Sequence, residues 1–157
     1  MKFVSTRGGG PPAPLSEAIV AGLAPDGGLF VPEAMPRLAV SDFDRCESLV
    51  EVAARVLAPF AEGDLHAAQV PQLVSEAFTF DAPVRTLTVS GSSVLELFHG
   101  PTAAFKDFGA RFLAAWLRRF MTGGTRRVTV MVATSGDTGS AVGAAFDGMP
   151  GVRVVIL

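Results

Sequence analysis

The spacing of hydrophobic positions changes at Asp81-Ala82-Pro83. Before this point apolar residues mostly recur every three or four positions, which places them on one face of a helix. Ser16 is suited to cap the first helix, and Pro71 is suited to the first turn of the third. We therefore predict a small, mostly helical N-terminal domain over residues 1–82. Its helices are expected at residues 16–23, 45–60 and 71–78.

After the boundary, strand and helix patterns alternate, which predicts the first part of a doubly wound, mainly parallel α/β domain over residues 83–157. Nearly continuous apolar runs at residues 128–133 and 152–157 are typical of strands that are buried on both faces. Gly123 and Gly124 are the predicted end of the long helix in this domain. The strands are expected at residues 87–89, 94–98, 128–133 and 152–157, and the helices at residues 103–121 and 139–146.

The last apolar run continues to the final residue, Leu157. A strand that stops among its core residues has no natural end, so we expect this chain to be part of a longer protein. A truncated α/β layer exposes apolar strand edges, and such edges pair readily with other chains. We therefore expect self-association through the truncated edge.

The composition excludes several classes of protein. A net charge of -2 argues against a nucleic-acid partner. No segment approaches the roughly 20 apolar residues that cross a membrane. The single cysteine, Cys46, excludes an internal disulfide framework and indicates a reducing compartment. We expect a cytoplasmic protein that binds no nucleic acid, membrane or metal, since no cluster of His, Cys, Asp or Glu has the spacing of metal ligands.

The first candidate for chemistry is Lys106, one of only two lysines in the chain. It lies in the first turn of the long predicted helix, after Thr102, a candidate N-cap. The partly positive helix start and the flanking side chains Phe105 and Phe108 favour the neutral amine, which is the form that condenses with an aldehyde. The neighbouring Asp107 would offset this effect, and an ordinary surface lysine is the alternative.

The second candidate is the segment from Thr134 to Gly139, which joins a predicted buried strand to a helix. Such a junction presents free backbone N–H groups and a favourable dipole to an anion, here a carboxylate or a phosphate. Small residues allow close approach to the backbone, and the hydroxyl groups add hydrogen-bond donors. The segment has neither the Gly-Lys-Ser/Thr ending of a Walker loop nor a G-x-G-x-x-G pattern. An ordinary strand-to-helix turn, capped by Asp137 or Thr138, is the alternative.

Three blocks of sequence carry a resemblance to known enzymes. The first combines STRG at residues 5–8 with GLAPDGGLFVP at residues 22–32, the second is ELFHGPTAAFKDFG at residues 96–109, and the third is ATSGDTG at residues 133–139. Together they resemble the threonine synthase family, in the right order and with plausible spacing. The second block is the most specific, because it is similar to the lysine motif that binds pyridoxal 5'-phosphate (PLP) in the longer threonine synthases.

The resemblance implies a fold type II PLP enzyme, with the cofactor in a cleft between doubly wound α/β domains. It implies a lyase that converts O-phospho-L-homoserine and water to L-threonine and phosphate. Lys106 would bind PLP as a Schiff base and would then carry protons at the α and β carbons of the substrate. The implied cofactor contacts are Lys106, Phe105 and Asp137, and the implied substrate contacts are Thr102, Thr134, Ser135, Gly136, Asp137 and Thr138.

The resemblance also has limits. Chains of this family are longer, and the glycine-rich cup for the PLP phosphate would lie beyond Leu157, so we expect this chain alone to be inactive. Another fold type II lyase, such as a serine or threonine dehydratase, is one alternative, which the block at residues 22–32 disfavours. A non-catalytic binding module similar to threonine synthase is another, which the intact Lys106 disfavours. Many fold type II relatives carry asparagine at the position of Asp137.

Overall fold

The structure is a computed structural model that describes residues 1–121 and 127–157. The predicted helix end at Gly123 and Gly124 lies outside the described residues. Contacts divide the chain into two compact units, Met1–Val74 and Ser75–Leu157. The α/β class is confirmed, because strands and helices alternate and one pair of strands is parallel. The domain division into residues 1–82 and 83–157 stays a prediction.

Most of the regular secondary structure in the first part of the chain is helical, as predicted, but this part also contains a short antiparallel strand pair. Strand β1 pairs with β2 so that Phe3 lies opposite Pro32. Strands of three residues are too short to show the alternation that predicts a strand, so β1 was not expected. The elements are β1 (Phe3–Ser5), α1 (Leu15–Ala21), β2 (Phe30–Pro32), α2 (Leu49–Leu57) and α3 (Val70–Ala77), with 3-10 helices at Val40–Phe43, Ala58–Ala61 and Ala67–Gln69.

The predicted cap of the first helix is wrong. α1 begins at Leu15, so Ser16 lies inside the helix and its side chain does not cap it. Instead, the backbone N–H and the hydroxyl of Ser16 donate to the carboxylate of Asp64, which is far away in sequence. A carboxylate at the start of a helix satisfies a free N–H group and is favoured by the helix dipole. A distant residue therefore supplies the acceptor that a local cap would have provided.

The second helix begins later than predicted because Ser48 caps it. The hydroxyl of Ser48 accepts a hydrogen bond from the backbone N–H of Glu51, and the Glu51 carboxylate accepts one from the backbone N–H of Ser48. This reciprocal arrangement is a capping box, and it fixes the start of α2 at Leu49.

The turn before β2 is tied to β1 by Asp26. Its carboxylate accepts hydrogen bonds from the Ser5 hydroxyl at 2.6 Å, from the Gly28 N–H at 2.9 Å and from the Gly9 N–H at 2.8 Å. The bond from Ser5 is the main cause that lowers the pKa of Asp26, and the bond from Gly28 adds to it. Burial acts in the opposite direction, and the bond from Gly9 lowers the pKa by a smaller amount. The carboxylate therefore stays ionised and connects the two strands.

In the hairpin after the third helix, the first strand lies three residues earlier than predicted, while the second begins one residue earlier and is shorter than predicted. β3 (Val84–Thr86) pairs antiparallel with β4 (Ser93–Leu95), so that Thr86 lies opposite Ser93. The predicted strand at residues 87–89 is wrong, because these residues form the first half of the turn. The turn is closed by a hydrogen bond from the Leu87 N–H to the Ser92 carbonyl.

The last elements form a strand-helix-strand unit beside a long helix. β5 and β6 are parallel, with Val128 opposite Val152. α5 packs against α4 and against β6, and Trp116 of α4 is fully buried. These elements are α4 (Lys106–Met121), β5 (Val128–Val132), α5 (Asp137–Phe146) and β6 (Val152–Ile156).

The prediction that β5 is buried on both faces is wrong for this chain. Every second residue along β5 is exposed, and the Met131 side chain is 68% exposed. The reason is that α5 covers only one face of the strand pair. Among the described residues, no second layer of helices or strands covers the other face. Ile156 and Leu157 are also exposed at the end of β6. The self-association expected through this edge stays a prediction.

A search of the described residues for membrane-spanning helices finds none with the length and apolar character that a membrane requires.

We expect the Asp26 carboxylate to make the stability of the chain depend on acid. Because its pKa is lowered in the folded chain, it stabilises the fold above the ordinary aspartate pKa of about 3.9, and this contribution is lost as the pH falls below that value. Asp26→Asn should lower the urea concentration at the unfolding midpoint at neutral pH. The midpoint of this variant should then fall less between neutral pH and about pH 3 than that of the unmodified chain. The exposed Asp44 provides a control, since Asp44→Asn should keep the pH dependence of the unmodified chain. An unchanged acid loss in Asp26→Asn would contradict this role.

Candidate functional site

Lys106 is the first residue of α4. The helix begins three residues later than predicted, because residues 100–105 form a turn in which the Ala103 N–H donates to the Gly100 carbonyl. The predicted location of Lys106 in the first helical turn is nevertheless correct. Its side chain is 32% exposed, so the amine is accessible.

Two groups that attract a cation lie beside the Lys106 amine. The Nζ atom is 3.9 Å from Oδ2 of Asp137 and 4.5 Å from the centre of the Phe105 ring. The carboxylate and the face of the aromatic ring both stabilise a positive charge. Phe105 is 61% exposed, so it does little to reduce the solvation of the amine, which was the effect expected from the sequence.

The pair of Lys106 and Asp137 joins two of the sequence blocks described above. Asp137 is the first residue of α5, and its side chain is 76% exposed. The starts of α4 and α5 are therefore adjacent. This juxtaposition brings an amine close to a loop that was predicted to bind an anion.

The loop before α5 forms one side of an open depression of about 410 Å³. The loop is held by a hydrogen bond from the Gly136 N–H to the Thr134 hydroxyl at 3.3 Å. In the alternative interpretation, Asp137 or Thr138 would cap α5, but Gly136, which has no side chain, occupies the cap position. The depression is lined by Thr134, Ser135, Gly136, Gly139, Ser140, Gly143, Ile156 and Leu157.

The structure brings some of the predicted substrate contacts together and leaves others apart. Thr134, Ser135 and Gly136 line the depression, while Thr138 is half-buried and is absent from its lining.

Thr102 lies in the turn before Lys106. Its hydroxyl donates to the Asp107 carboxylate at 2.8 Å, so the expectation that Thr102 accepts a hydrogen bond as the cap of α4 is wrong.

Asp107 is a residue whose role the sequence did not reveal. It is fully buried, and its carboxylate accepts hydrogen bonds from both the backbone N–H and the hydroxyl of Thr102. From the sequence alone, Asp107 was interpreted only as a negative charge next to Lys106. Asp107 could have been recognised from the sequence as an acid near a predicted helix start that follows a hydroxyl residue by a few positions, as in a capping box.

Two histidines also differ in environment. The Nε2 atom of His99 lies 2.8 Å from the Glu96 carboxylate, and its ring stacks on Phe98. His66 is buried, with only 8% of the residue exposed. Its backbone N–H donates to Asp64, the residue that also holds the start of α1.

No group of three or more His, Cys, Asp or Glu residues in the described part of the chain is arranged to hold a metal ion. The chemistry available here is that of an accessible amine beside a carboxylate. An aldehyde is the group that such an amine can bind covalently, and the loop N–H groups and hydroxyls suit a carboxylate.

Comparisons with known proteins place these features in a family. A family model described as "Threonine synthase N terminus" matches residues 2–78. The chain is 40% identical to the threonine synthase of Escherichia coli over 159 residues, covering all of this chain and 36% of the relative. It is 44% identical to the threonine synthase of Haemophilus influenzae over 142 residues, covering 90% of this chain and 33% of the relative.

A solved structure is similar along the same length. The crystal structure of a PLP-bound threonine synthase from Brucella melitensis has a TM-score of 0.86 and 42% sequence identity, and the match covers 99% of this chain and 35% of that one. The chain therefore spans about a third of the length of the relatives that it matches.

The close packing at the start of α5 generates a stability prediction. A Cβ atom at Gly139 would lie 2.8 Å from a methyl carbon of Thr134 and 2.9 Å from one of Ile156, whereas a Cβ atom at Gly143 would meet Ile156 at an ordinary 3.6 Å. Replacing glycine by alanine inside a helix normally stabilises by about 1 kcal/mol. We expect Gly143→Ala to show up to this gain, and Gly139→Ala to lose about 1–2 kcal/mol through overpacking.

Denaturant unfolding of the two variants checks this expectation. Gly143→Ala is the matched control, because it makes the same chemical change one helical turn later. Equal stability changes in both variants would show that α5 does not approach β6 as closely as described.

Proposed function

Because the chain belongs to the threonine synthase family, we propose that the protein it represents converts O-phospho-L-homoserine and water to L-threonine and phosphate with PLP as cofactor. The proposal is for the whole protein, since this chain spans about a third of its relatives. Residues 1–82 would form the N-terminal domain, and residues 83–157 would form the first part of the PLP-binding α/β domain. The extent of the family match, residues 2–78, supports this division.

The observation that carries the proposal is the approach of the Lys106 amine to Asp137, 3.9 Å away. The lysine block and the loop block are separate in sequence, and a PLP site needs both of them. An amine that is partly exposed fits the aldehyde of the cofactor, which is the group that it would bind covalently. PLP, when bound, supplies an electron sink for a carbanion on the substrate.

The residues of this chain would divide the remaining work. Lys106 would hold the cofactor, and its amine would then move protons at the α and β carbons of the substrate. Asp137 would hold the protonated amine in position, and Phe105 would form one wall of the cleft beside it. Both roles follow from the distances of these side chains to Nζ of Lys106.

The loop after β5 would bind the carboxylate of the substrate. Its backbone N–H groups lie at the start of α5, where the helix dipole favours an anion. The residues that would make these contacts are Thr134, Ser135, Gly136, Asp137 and Thr138. The open depression beside the first three supports this assignment. Thr102 would shape the side of the cleft next to Lys106 without a polar contact to the substrate, because its N–H and hydroxyl both donate to Asp107.

Product analysis of the whole protein tests the reaction. We expect threonine and phosphate to appear in equal amounts from O-phospho-L-homoserine, and Lys106→Ala to abolish both, because the cofactor loses its covalent anchor. A serine or threonine dehydratase would instead consume serine or threonine without release of phosphate. That outcome would contradict the proposal, and the names of the relatives do not favour it.

Covalent labelling of the whole protein tests the role of Lys106 independently of turnover. The protein is incubated with PLP, reduced with borohydride and mapped by mass spectrometry. We expect Lys106 to be modified about tenfold more than Lys2, because contacts of the site with the cofactor add to the reactivity of the amine. Lys2 serves as the internal reference, and Lys106→Arg should leave only the weak label on Lys2. Equal labelling of the two lysines would contradict a PLP site at Lys106.

A further inference from the structure

Asp107 is a buried acidic residue to which the proposed chemistry assigns no step. Its side chain is fully buried, next in sequence to the partly exposed Lys106. Burying a carboxylate is unfavourable unless hydrogen bonds compensate it. Its two oxygens do accept such bonds, from the Thr102 N–H at 2.9 Å and from the Thr102 hydroxyl at 2.8 Å. The carboxylate therefore ties the first turn of α4 to the turn before it.

The turn that Asp107 holds is closely packed and has an unfavourable backbone conformation. A Cβ atom at Gly100 would lie 2.4 Å from Oδ2 of Asp107, so the backbone there rests directly on the carboxylate. Ala103 has a φ of 56°, which is in the left-handed region that residues with a Cβ atom avoid. Such a conformation persists only where its surroundings hold it in place.

Lys106 lies between these two fixed points. Ala103 precedes it by three residues and Asp107 follows it directly, so the backbone of Lys106 is held from both sides. The long lysine side chain has many rotamers, so a fixed backbone position limits where its amine can lie and favours its contacts with Asp137 and the Phe105 ring.

We propose that Asp107 is a positioning residue which, through its hydrogen bonds to Thr102, sets the place of the Lys106 amine. The proposal rests on the proposed function of Lys106 as the cofactor-binding lysine. Asp107 does not touch the reacting atoms, and it acts by fixing the turn at residues 100–105. Loss of its bonds should release the amine from its neighbours without unfolding α4, whose buried residues such as Trp116 and Leu117 lie further along the helix.

The test compares the two lysines of the chain in two reactions. Reductive methylation with formaldehyde and cyanoborohydride reports on the amine alone, and labelling with PLP reports on the amine within its site. In the unmodified chain Lys106 should be methylated about two- to fivefold more slowly than the exposed Lys2, because its side chain is only 32% exposed and its amine lies against Asp137 and the Phe105 ring. With PLP, in the whole protein, the preference should be reversed in favour of Lys106.

The variants separate positioning from folding. Thr102→Val removes the hydroxyl donor, Thr102→Ser keeps it, and Asp107→Asn keeps the size of the acid. We expect Thr102→Val and Asp107→Asn to raise the methylation rate of Lys106 towards that of Lys2 and to lower its PLP labelling to the level of Lys2. Thr102→Ser should behave like the unmodified chain. Asp147→Asn, at an exposed acid after α5, is the matched control and should change neither ratio.

The outcomes distinguish the positioning role of Asp107 from the cofactor role of Lys106. An unchanged methylation ratio in both Thr102→Val and Asp107→Asn would overturn the positioning role. Equal changes in Thr102→Val and Thr102→Ser would also overturn it, since the hydroxyl bond would then not matter. If Lys106 gains no PLP preference over Lys2 in the whole protein but methylation follows the expected pattern, the cofactor role of Lys106 fails and the positioning role of Asp107 stands.

Discussion

The packing of α5 is the constraint on which the candidate site depends. α5 contacts α4 on one side and the strand pair of β5 and β6 on the other, and the absence of a side chain at Gly139 lets its first turn approach Ile156. Lys106 and Asp137 are the first residues of their helices and lie 3.9 Å apart. The two helix starts therefore meet beside the loop that follows β5. Without this arrangement the lysine and the loop would be two unrelated features of the sequence.

The meeting of two helix starts has an electrostatic consequence. Each start carries a partial positive charge, so an ammonium group placed there is unfavourable by itself. Asp137 and the ring of Phe105 offset this effect at the Lys106 amine. The same potential attracts anions, and both PLP and an amino-acid substrate carry anionic groups. In the proposed function, the site that tolerates the lysine is therefore also the site that draws in its two ligands.

The sequence predicted the features that depend on local pattern and missed those that depend on distant residues. The long helix α4 and the unit of β5, α5 and β6 were predicted because their apolar spacing is sustained over many residues. The start of α1 was misassigned because its acceptor is Asp64, which no local pattern connects to Ser16. The exposure of Met131 was missed because a continuous apolar run does not state which faces the chain itself covers. At the candidate site, the sequence identified Lys106 and the loop separately. It did not predict their contact, because that contact results from the packing of α5 against α4.

The environments of four aspartates indicate which of them is available to contact a ligand. Asp26, Asp64 and Asp107 each accept hydrogen bonds from backbone N–H groups and so hold a turn or a helix start in place. Turns and helix starts have backbone N–H groups without partners in the local backbone, and a carboxylate that accepts from them satisfies these groups. Asp137 differs from these three, since its side chain is 76% exposed and it faces the Lys106 amine. Because its charge faces the amine and the solvent, its position fits a role in binding and orienting a ligand, whereas the other three act on the backbone.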